Sequence, residues 1–134
     1  ARVLFQDEMM AVLPMSHPLT KKTSVTLKEL SKETFIQLDE GEYSVLLNAC
    51  QTIGIVPDIE YKVHDDYSIL AMVRQGLGVS AIYRLVLQGF EIGLEVRQID
   101  ERPKRSVAIA WQNWDTMPFA SRRFAEFIID TYQV

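Results

Sequence analysis

Short apolar runs alternate with helix-like stretches along almost the whole chain, and this alternation restricts the possible folds more than any other feature. The run Met9–Leu13 is continuously apolar and is stopped by Pro14, which is typical of a strand buried on both faces. Further strand-like runs lie at 35–38, 59–63, 79–83, 94–98 and 106–111. Strands separated by helical segments predict an α/β fold.

Capping residues and periodic apolar positions predict the helices between these strands. Thr26 with Glu29 three residues later forms a capping box, so a short helix should begin there. Asp65 or Asp66 should cap a later helix that ends at Gly76, and a last helix is predicted from about 118 to 132. One more helix is predicted by an apolar stripe that ends at the stop signal Gly54, and the stripe consists of Tyr43, Leu46, Leu47, Cys50 and Ile53.

Composition and charge exclude several classes of function. The net charge of −4 makes the chain by itself a poor nucleic-acid binder, because phosphate affinity comes mostly from lysine and arginine. The single cysteine, Cys50, excludes an internal disulfide and a zinc site built on several thiolates, and it is consistent with a reducing cytosol. No apolar run approaches the roughly 20 residues of a membrane span, and no signal peptide opens the chain. We therefore expect a cytoplasmic protein without a membrane partner, and the start at Ala1 suggests a piece of a longer one.

Two polar, proline-containing stretches, near 14–18 and 101–105, bracket everything between them. A bracketed block of this kind predicts two lobes that are joined by two passages of the chain. In α/β sheets, ligands bind beyond the carboxyl ends of strands and near helix N-termini. The corresponding places in this sequence are 38–43, 63–68 and 76–80.

Four segments of the sequence resemble the effector-binding domain of LysR-type transcriptional regulators. They are Met10–Leu19, Val25–Leu30, Phe35–Gly41 and Ile69–Ser80, and they occur in the order and at the spacing of that family. The resemblance covers nearly the whole chain. It implies a ligand-sensing function, in which a small metabolite binds between two lobes and changes DNA binding and transcription by the parent protein.

The same resemblance implies the fold, the domains and the partners. The fold would be of the two-lobed, type 2 periplasmic-binding-protein kind, with one lobe complete and the other partial. Residues 19–103 would form the second lobe, and residues 1–18 with 104–134 would form part of the first lobe, truncated at its N-terminus. The expected partners are a small-molecule effector and further copies of the chain, while DNA would be reached only through a helix-turn-helix domain outside this sequence. No cofactor is expected.

The effector-binding candidates lie at the three places where strands end and helices begin. Gly41 and Gly78 would let a ligand approach the backbone closely, and Tyr83 would wall the pocket. The family often carries proline near the position of Tyr83, so this departure would reshape the pocket wall. Serine and tyrosine side chains would donate hydrogen bonds, and the nearby acids leave open whether the effector is an anion, neutral or a cation. The full candidate set is Asp39, Glu40, Gly41, Tyr43, Ser44, Tyr67, Ser68, Gly78, Val79, Ser80 and Tyr83.

Alternative functions follow from the same residues. A solute-binding protein of a transport system would have the same fold, and an enzyme would use the acids and His64. We expect no catalytic residues, because Cys50 lies on the buried stripe of its helix, where cysteine is usually inert. We expect no metal site, because His64 has no second histidine at ligand spacing. Strand edges and apolar surface left uncovered in the partial lobe should also favour self-association.

Overall fold

The structure, a computed structural model, describes residues 1–132 and divides into two compact units. The smaller unit combines Ala1–Asp7 with the chain from Arg105 onward, and the larger unit is Glu8–Lys104. The strands are β1 (Arg2–Pro14), β2 (Ser24–Val25), β3 (Phe35–Leu38), β4 (Ile59–Val63), β5 (Ser80–Tyr83), β6 (Leu94–Ile99) and β7 (Lys104–Ile109). The helices are α1 (Leu27–Ser31), α2 (Val45–Thr52), α3 (Asp66–Arg74), α4 (Arg84–Leu87) and α5 (Phe119–Tyr132), and a 3₁₀ turn spans Pro18–Lys21.

The second half of β1 is the centre of the larger unit's sheet. It pairs antiparallel with β5, where Met9 faces Tyr83, and antiparallel with β6, where Pro14 faces Leu94. The short strand β2 adds to β6 in parallel, and β3 and β4 pair in parallel with each other. A single bridge between Phe35 and Val79 connects β3 to the residue just before β5.

The core of the larger unit lies on both faces of this central strand. Odd-numbered residues of β1 enter one cluster and even-numbered residues enter the other, because successive side chains of a strand point to opposite faces. The first cluster includes Met9, Ala11, Leu13, Leu27, Leu30, Phe35, Leu46 and Cys50. The second includes Met10, Val12, Ile36, Ile69, Leu70, Val73 and Ile82. The prediction of a strand buried on both faces is confirmed, and β1 is longer than the apolar run indicated.

The predicted helix signals are confirmed where they are local. Thr26 and Glu29 form the capping box of α1, in which each side chain accepts a hydrogen bond from the other residue's backbone N–H. Asp65 caps α3, and Gly54 has a left-handed φ of 72° just after α2. The stripe that predicted α2 was too long at both ends, since Tyr43 and Ile53 lie outside the helix and are exposed. The helix α4 and the 3₁₀ turn were not expected from the sequence.

Within the larger unit, hydrogen bonds connect the segment at Glu8 and Met9 with the segment at Arg102 and Pro103. The N–H of Met9 donates to the carbonyl of Pro103 at 2.8 Å, and the guanidinium of Arg102 donates to the Glu8 carboxylate at 3.1 Å. This hydrogen bond from Arg102 holds the pKa of Glu8 below its ordinary value. Residues 8–18, which the sequence analysis assigned to the partial first lobe, belong by their packing to the larger unit. The physical reason is the pairing of β1 with β5 and β6.

The smaller unit contains the first half of β1, β7 and α5, and β7 pairs with β1. Its Asp7 is buried and accepts two hydrogen bonds from the Arg105 guanidinium, at 2.9 and 3.1 Å. Among its described residues, Ala125 is the one buried apolar side chain, and Phe124 and Phe127 of α5 are 61% and 64% exposed. Residues 133 and 134, which the sequence analysis placed in the first lobe, lie outside the described residues.

Gly78 is the position where the larger unit should tolerate a side chain least. A Cβ there would lie 2.5 Å from the Thr34 carbonyl oxygen, which is backbone and cannot turn away. We expect Gly78→Ala to lower the free energy of unfolding by about 1–3 kcal/mol, measured by urea denaturation.

Gly54 is the matched control, because nothing lies within 4 Å of a Cβ there and only its left-handed φ disfavours a side chain. Asparagine tolerates that backbone conformation. The free energy of unfolding of Gly54→Asn should therefore be close to that of the parent chain. That of Gly78→Asn should be as low as that of Gly78→Ala or lower. Equal tolerance at the two sites would contradict the steric argument.

Candidate functional site

The candidate site lies in the larger unit, where β3 and β4 end side by side. The two strands are parallel and Leu38 pairs with Val63, so the residues that follow them meet at one sheet edge. The N–H of Asp39 donates to the Val63 carbonyl at 2.9 Å, and the Asp39 carboxylate lies 3.6 Å from Nδ1 of His64. The other oxygen of Asp39 accepts a hydrogen bond from the N–H of Gly41. The loop 39–44 is thereby fixed at the end of β3.

Ser44 begins α2 and is held from two sides. Its Oγ accepts a hydrogen bond from the Leu47 N–H at 3.2 Å, which is the ordinary N-cap interaction. It also accepts one from Nε2 of Gln37 at 3.0 Å. Gln37 lies on β3, is 4% exposed, and donates a second hydrogen bond to the Leu38 carbonyl at 2.9 Å. A buried amide therefore connects the strand to the first turn of the helix.

The start of α3 differs from that of α2, because the Asp65 side chain already accepts hydrogen bonds from its first backbone N–H groups. The Asp65 carboxylate accepts hydrogen bonds from the N–H groups of Tyr67 and Ser68 and from the Ser68 hydroxyl, the last at 2.8 Å. The hydroxyl of Ser68 in particular holds the pKa of Asp65 below its ordinary value. The Tyr67 ring is exposed and packs against Phe90 with centroids 4.8 Å apart. These N–H groups are thus satisfied by the protein itself.

The candidates from 78 to 83 lie inside the fold. Gly78 allows β3 to approach, Val79 bonds to the backbone of that strand, and the Ser80 hydroxyl donates to the Ile36 carbonyl at 2.6 Å. Tyr83 is 2% exposed and belongs to the first core cluster. This location differs from the pocket wall that the sequence analysis expected for Tyr83, because the pairing of β5 with β1 places its side chain beside Met9.

The structure therefore brings part of the candidate set to the surface and leaves the rest beneath it. Tyr43 is 65% exposed, and Gly41 and Ser68 are exposed, whereas Asp39, Glu40 and Ser44 are half-buried. Sequence reasoning did not select Gln37 or the pairing of His64 with Asp39. The available signal for Gln37 was a single polar residue inside the otherwise apolar strand segment Phe35–Leu38.

The one cysteine of the chain lies in the core and away from the candidate site. Burial raises the pKa of the Cys50 thiol, so it remains protonated and packs in the core. Residues 1–132 contain no group of three or more His, Cys, Asp or Glu side chains arranged to hold a metal ion. None of the helices in the described part of the chain is long and apolar enough to cross a membrane.

The α/β fold is of the periplasmic-binding-protein-like kind, and comparison with known proteins narrows that class to one family. The family model described as "LysR substrate binding domain" matches residues 1–133. The chain belongs to this family.

Relatives and solved structures agree with this assignment. The HTH-type transcriptional regulator YvbU of Bacillus subtilis is 27% identical over 92% of this chain and 43% of its own length. The chain thus spans less than half of that relative. The regulatory domain of CcmR from Synechocystis, solved with 2-PG, is 18% identical with a TM-score of 0.81, covering 98% of this chain and 66% of that one. The effector-binding domain of QuiR, solved with shikimate, is 20% identical with a TM-score of 0.79, covering 98% and 64%. At 18% and 20% identity, the likeness to these two structures shows the fold of this chain and nothing further.

The cap of α3 predicts a pH dependence. Because the folded pKa of Asp65 is lowered from 3.8, its stabilisation should be complete above that value and lost as the pH falls through the lower, folded value. Asp65→Asn retains a good N-cap but cannot titrate. The melting temperature of this variant should fall less on acidification than that of the parent chain, measured from about pH 7 to pH 2.

A second variant, Asp65→Ala, distinguishes the effect of the capping hydrogen bonds from the effect of the negative charge. It removes the acceptor as well as the charge, so it should lower the melting temperature at neutral pH more than Asp65→Asn does, because Asp65→Asn loses only the part of the stabilisation that depends on the charge. Identical acid profiles for the parent chain and Asp65→Asn would show that this carboxylate is not stabilised by folding.

Proposed function

We propose that the chain is the effector-sensing domain of a LysR-type transcriptional regulator and binds a small organic metabolite where β3 and β4 end. The observation that carries the proposal is the match of the family model to residues 1–133, together with the loop 39–44 that the fold fixes at that edge. The accessible groups proposed to contact the effector are Asp39, Glu40, Gly41, Tyr43, Ser44, Tyr67 and Ser68. Gly78, Val79, Ser80 and Tyr83 would support them from beneath.

The rest of the functional assignment follows the relatives. YvbU and other relatives are transcriptional regulators, and CcmR and QuiR were each solved with a small molecule bound. We propose accordingly that this chain performs no catalysis, acts in the cytoplasm, and affects DNA only through a helix-turn-helix domain of a parent protein. The two compact units would correspond to a complete and a partial lobe. A transport solute-binding protein is less favoured, because these relatives are regulators.

Effector binding should stabilise the folded chain. A panel of small organic acids, amino acids and nucleobases, with shikimate and 2-PG included, should contain compounds that raise the melting temperature. A ligand at about 100 times its dissociation constant adds about 2.7 kcal/mol to the free energy of unfolding.

The control is Gly41→Val, because Gly41 has a φ of 86° and a β-branched residue would distort the loop 39–44 at the sheet edge. This variant should retain most of its intrinsic stability and lose the ligand-induced shift. A panel that shifts neither this chain nor the complete parent protein would count against sensing.

The exposed side of α5 supports self-association. Phe119, Phe124 and Phe127 are exposed on a helix of a unit with little apolar core of its own. Exposed large apolar side chains that cluster on one helix favour an interface with another protein surface. We propose that this chain forms homo-oligomers through that side of α5.

Light scattering coupled to gel filtration should give a mass above the 15.4 kDa of one chain. The double substitution Phe124→Ser/Phe127→Ser should return the mass to that of one chain, whereas Tyr43→Ser, at another exposed aromatic residue, should not. A monodisperse single chain before any substitution would contradict the proposal.

A further inference from the structure

We propose that the turn Ile99–Arg102 is a strained clasp, by which we mean a turn that holds separate segments together, and that the ion pair of Arg102 with Glu8 keeps it closed. In the closed state the backbone of Arg102 is left-handed. In the open state it relaxes, and the segments that the turn holds are released. Opening is a local conformational step of the larger unit, separate from unfolding of the core and independent of effector binding.

The turn is extruded from the edge of β1. Met10 of β1 faces Gln98 of β6. The next residue along β1, Met9, donates its N–H to the carbonyl of Pro103 at 2.8 Å. Two neighbouring residues of β1 thus face positions that lie on either side of residues 99–102. These four residues are therefore pushed out between β6 and β7, in the manner of a large bulge.

The extruded residues hold α1 and the short strand before it. The N–H of Asp100 donates to the Val25 carbonyl at 2.8 Å. The Glu101 carboxylate accepts a hydrogen bond from the N–H of Leu27, the first residue of α1, at 2.9 Å. The turn thus connects the end of β6 to the start of a helix that lies 74 residues earlier in the chain.

Arg102 closes the turn in a backbone conformation that a residue with a Cβ disfavours. Its N–H donates to the Ile99 carbonyl at 2.9 Å, and its φ is 51°. Among residues 1–132 it is the one residue other than glycine with a positive φ. Left-handed backbone at such a residue carries a free-energy penalty and persists where the surroundings hold it in place. The next question is which contact holds Arg102.

The Glu8 carboxylate supplies that contact. Two nitrogens of the Arg102 guanidinium lie 3.1 and 3.4 Å from its two oxygens, so the pair is bidentate. The Glu8 side chain is only 17% exposed and also accepts a hydrogen bond from the Gln98 side chain, whereas the Arg102 side chain is 62% exposed. Arg84 approaches the same carboxylate less closely, at 4.0 Å. Because a change of φ to negative values would swing the Arg102 side chain away from Glu8, the ion pair and the strained backbone depend on each other.

The test measures amide hydrogen exchange by NMR in the chain and its variants. The amides of Met9, Leu27 and Asp100, called the clasp amides here, report the state of the turn, because they lie in it or donate to it or to the residue that follows it. The amide of the buried residue Val79 donates to a backbone carbonyl outside the clasp and reports unfolding of the core.

Two substitutions of Arg102 isolate the backbone strain. Arg102→Gly and Arg102→Ala both remove the ion pair, but only alanine retains the penalty for a left-handed backbone. The clasp amides should exchange about tenfold faster in Arg102→Ala than in Arg102→Gly, as expected for a penalty of this size. The amide of Val79 should exchange at the same rate in both variants.

A third substitution isolates the ion pair. Glu8→Gln should accelerate exchange of the clasp amides about three- to fivefold, as expected for a partly exposed ion pair. In the Arg102→Gly background the same substitution should have no effect, because glycine keeps the turn closed without the pair. Arg84→Gln is the matched control, since Arg84 approaches the same carboxylate from an unstrained backbone and should leave the clasp amides unchanged.

Three results would each overturn the proposal. Equal exchange of the clasp amides in Arg102→Gly and Arg102→Ala would mean that no backbone strain is stored at this residue. An unchanged rate in Glu8→Gln, or equal acceleration by Glu8→Gln with arginine and with glycine at position 102, would mean that the ion pair does not hold the strained conformation. Acceleration at Val79 equal to that of the clasp amides would mean that the turn opens only when the core unfolds. No ligand enters these measurements, so their outcome is separate from that of the proposed function.

Discussion

The burial of β1 on both faces is the constraint on which the rest of the larger unit depends. Met9, Ala11 and Leu13 enter one core cluster, while Met10 and Val12 enter the other. Burial of each large apolar side chain contributes about 1.5–3 kcal/mol. Because one residue of slippage would exchange the two faces, the pattern also fixes the register of β5 and β6 against β1.

The candidate site is a consequence of that arrangement. Ile36 and Phe35 contribute to opposite clusters, so β3 is held between α2 and α3 with its end at the surface. Gly78 lets the chain before β5 approach β3, and Ser80 satisfies the Ile36 carbonyl. The residues from 78 to 83 thus maintain the position of β3, and the loop that follows β3 carries most of the candidate residues that are exposed or half-buried.

Sequence reasoning predicted what local interactions determine. The capping box at Thr26, the Asp65 cap and the glycine stop at Gly54 each depend on residues within a few positions, and each is found. Tyr83 and Ser80 could not be placed in this way, because their burial results from pairing with β1 and with residues near β3, far away in sequence. Residues 8–18 pack with the larger unit and not with residues 1–7 for the same reason, because β1 pairs with β5 and β6.

Gln37 shows why the site was harder to predict than the fold. A polar residue in an apolar strand is compatible with solvent exposure, with a structural hydrogen bond or with ligand recognition, and the sequence contains nothing that distinguishes them. The distinction requires the distance from Nε2 to Ser44, which depends on how the loop 39–44 returns to β3. Polar groups that the fold orients at a ligand's position need no reorganisation when the ligand binds, and this preorganisation lowers the cost of binding.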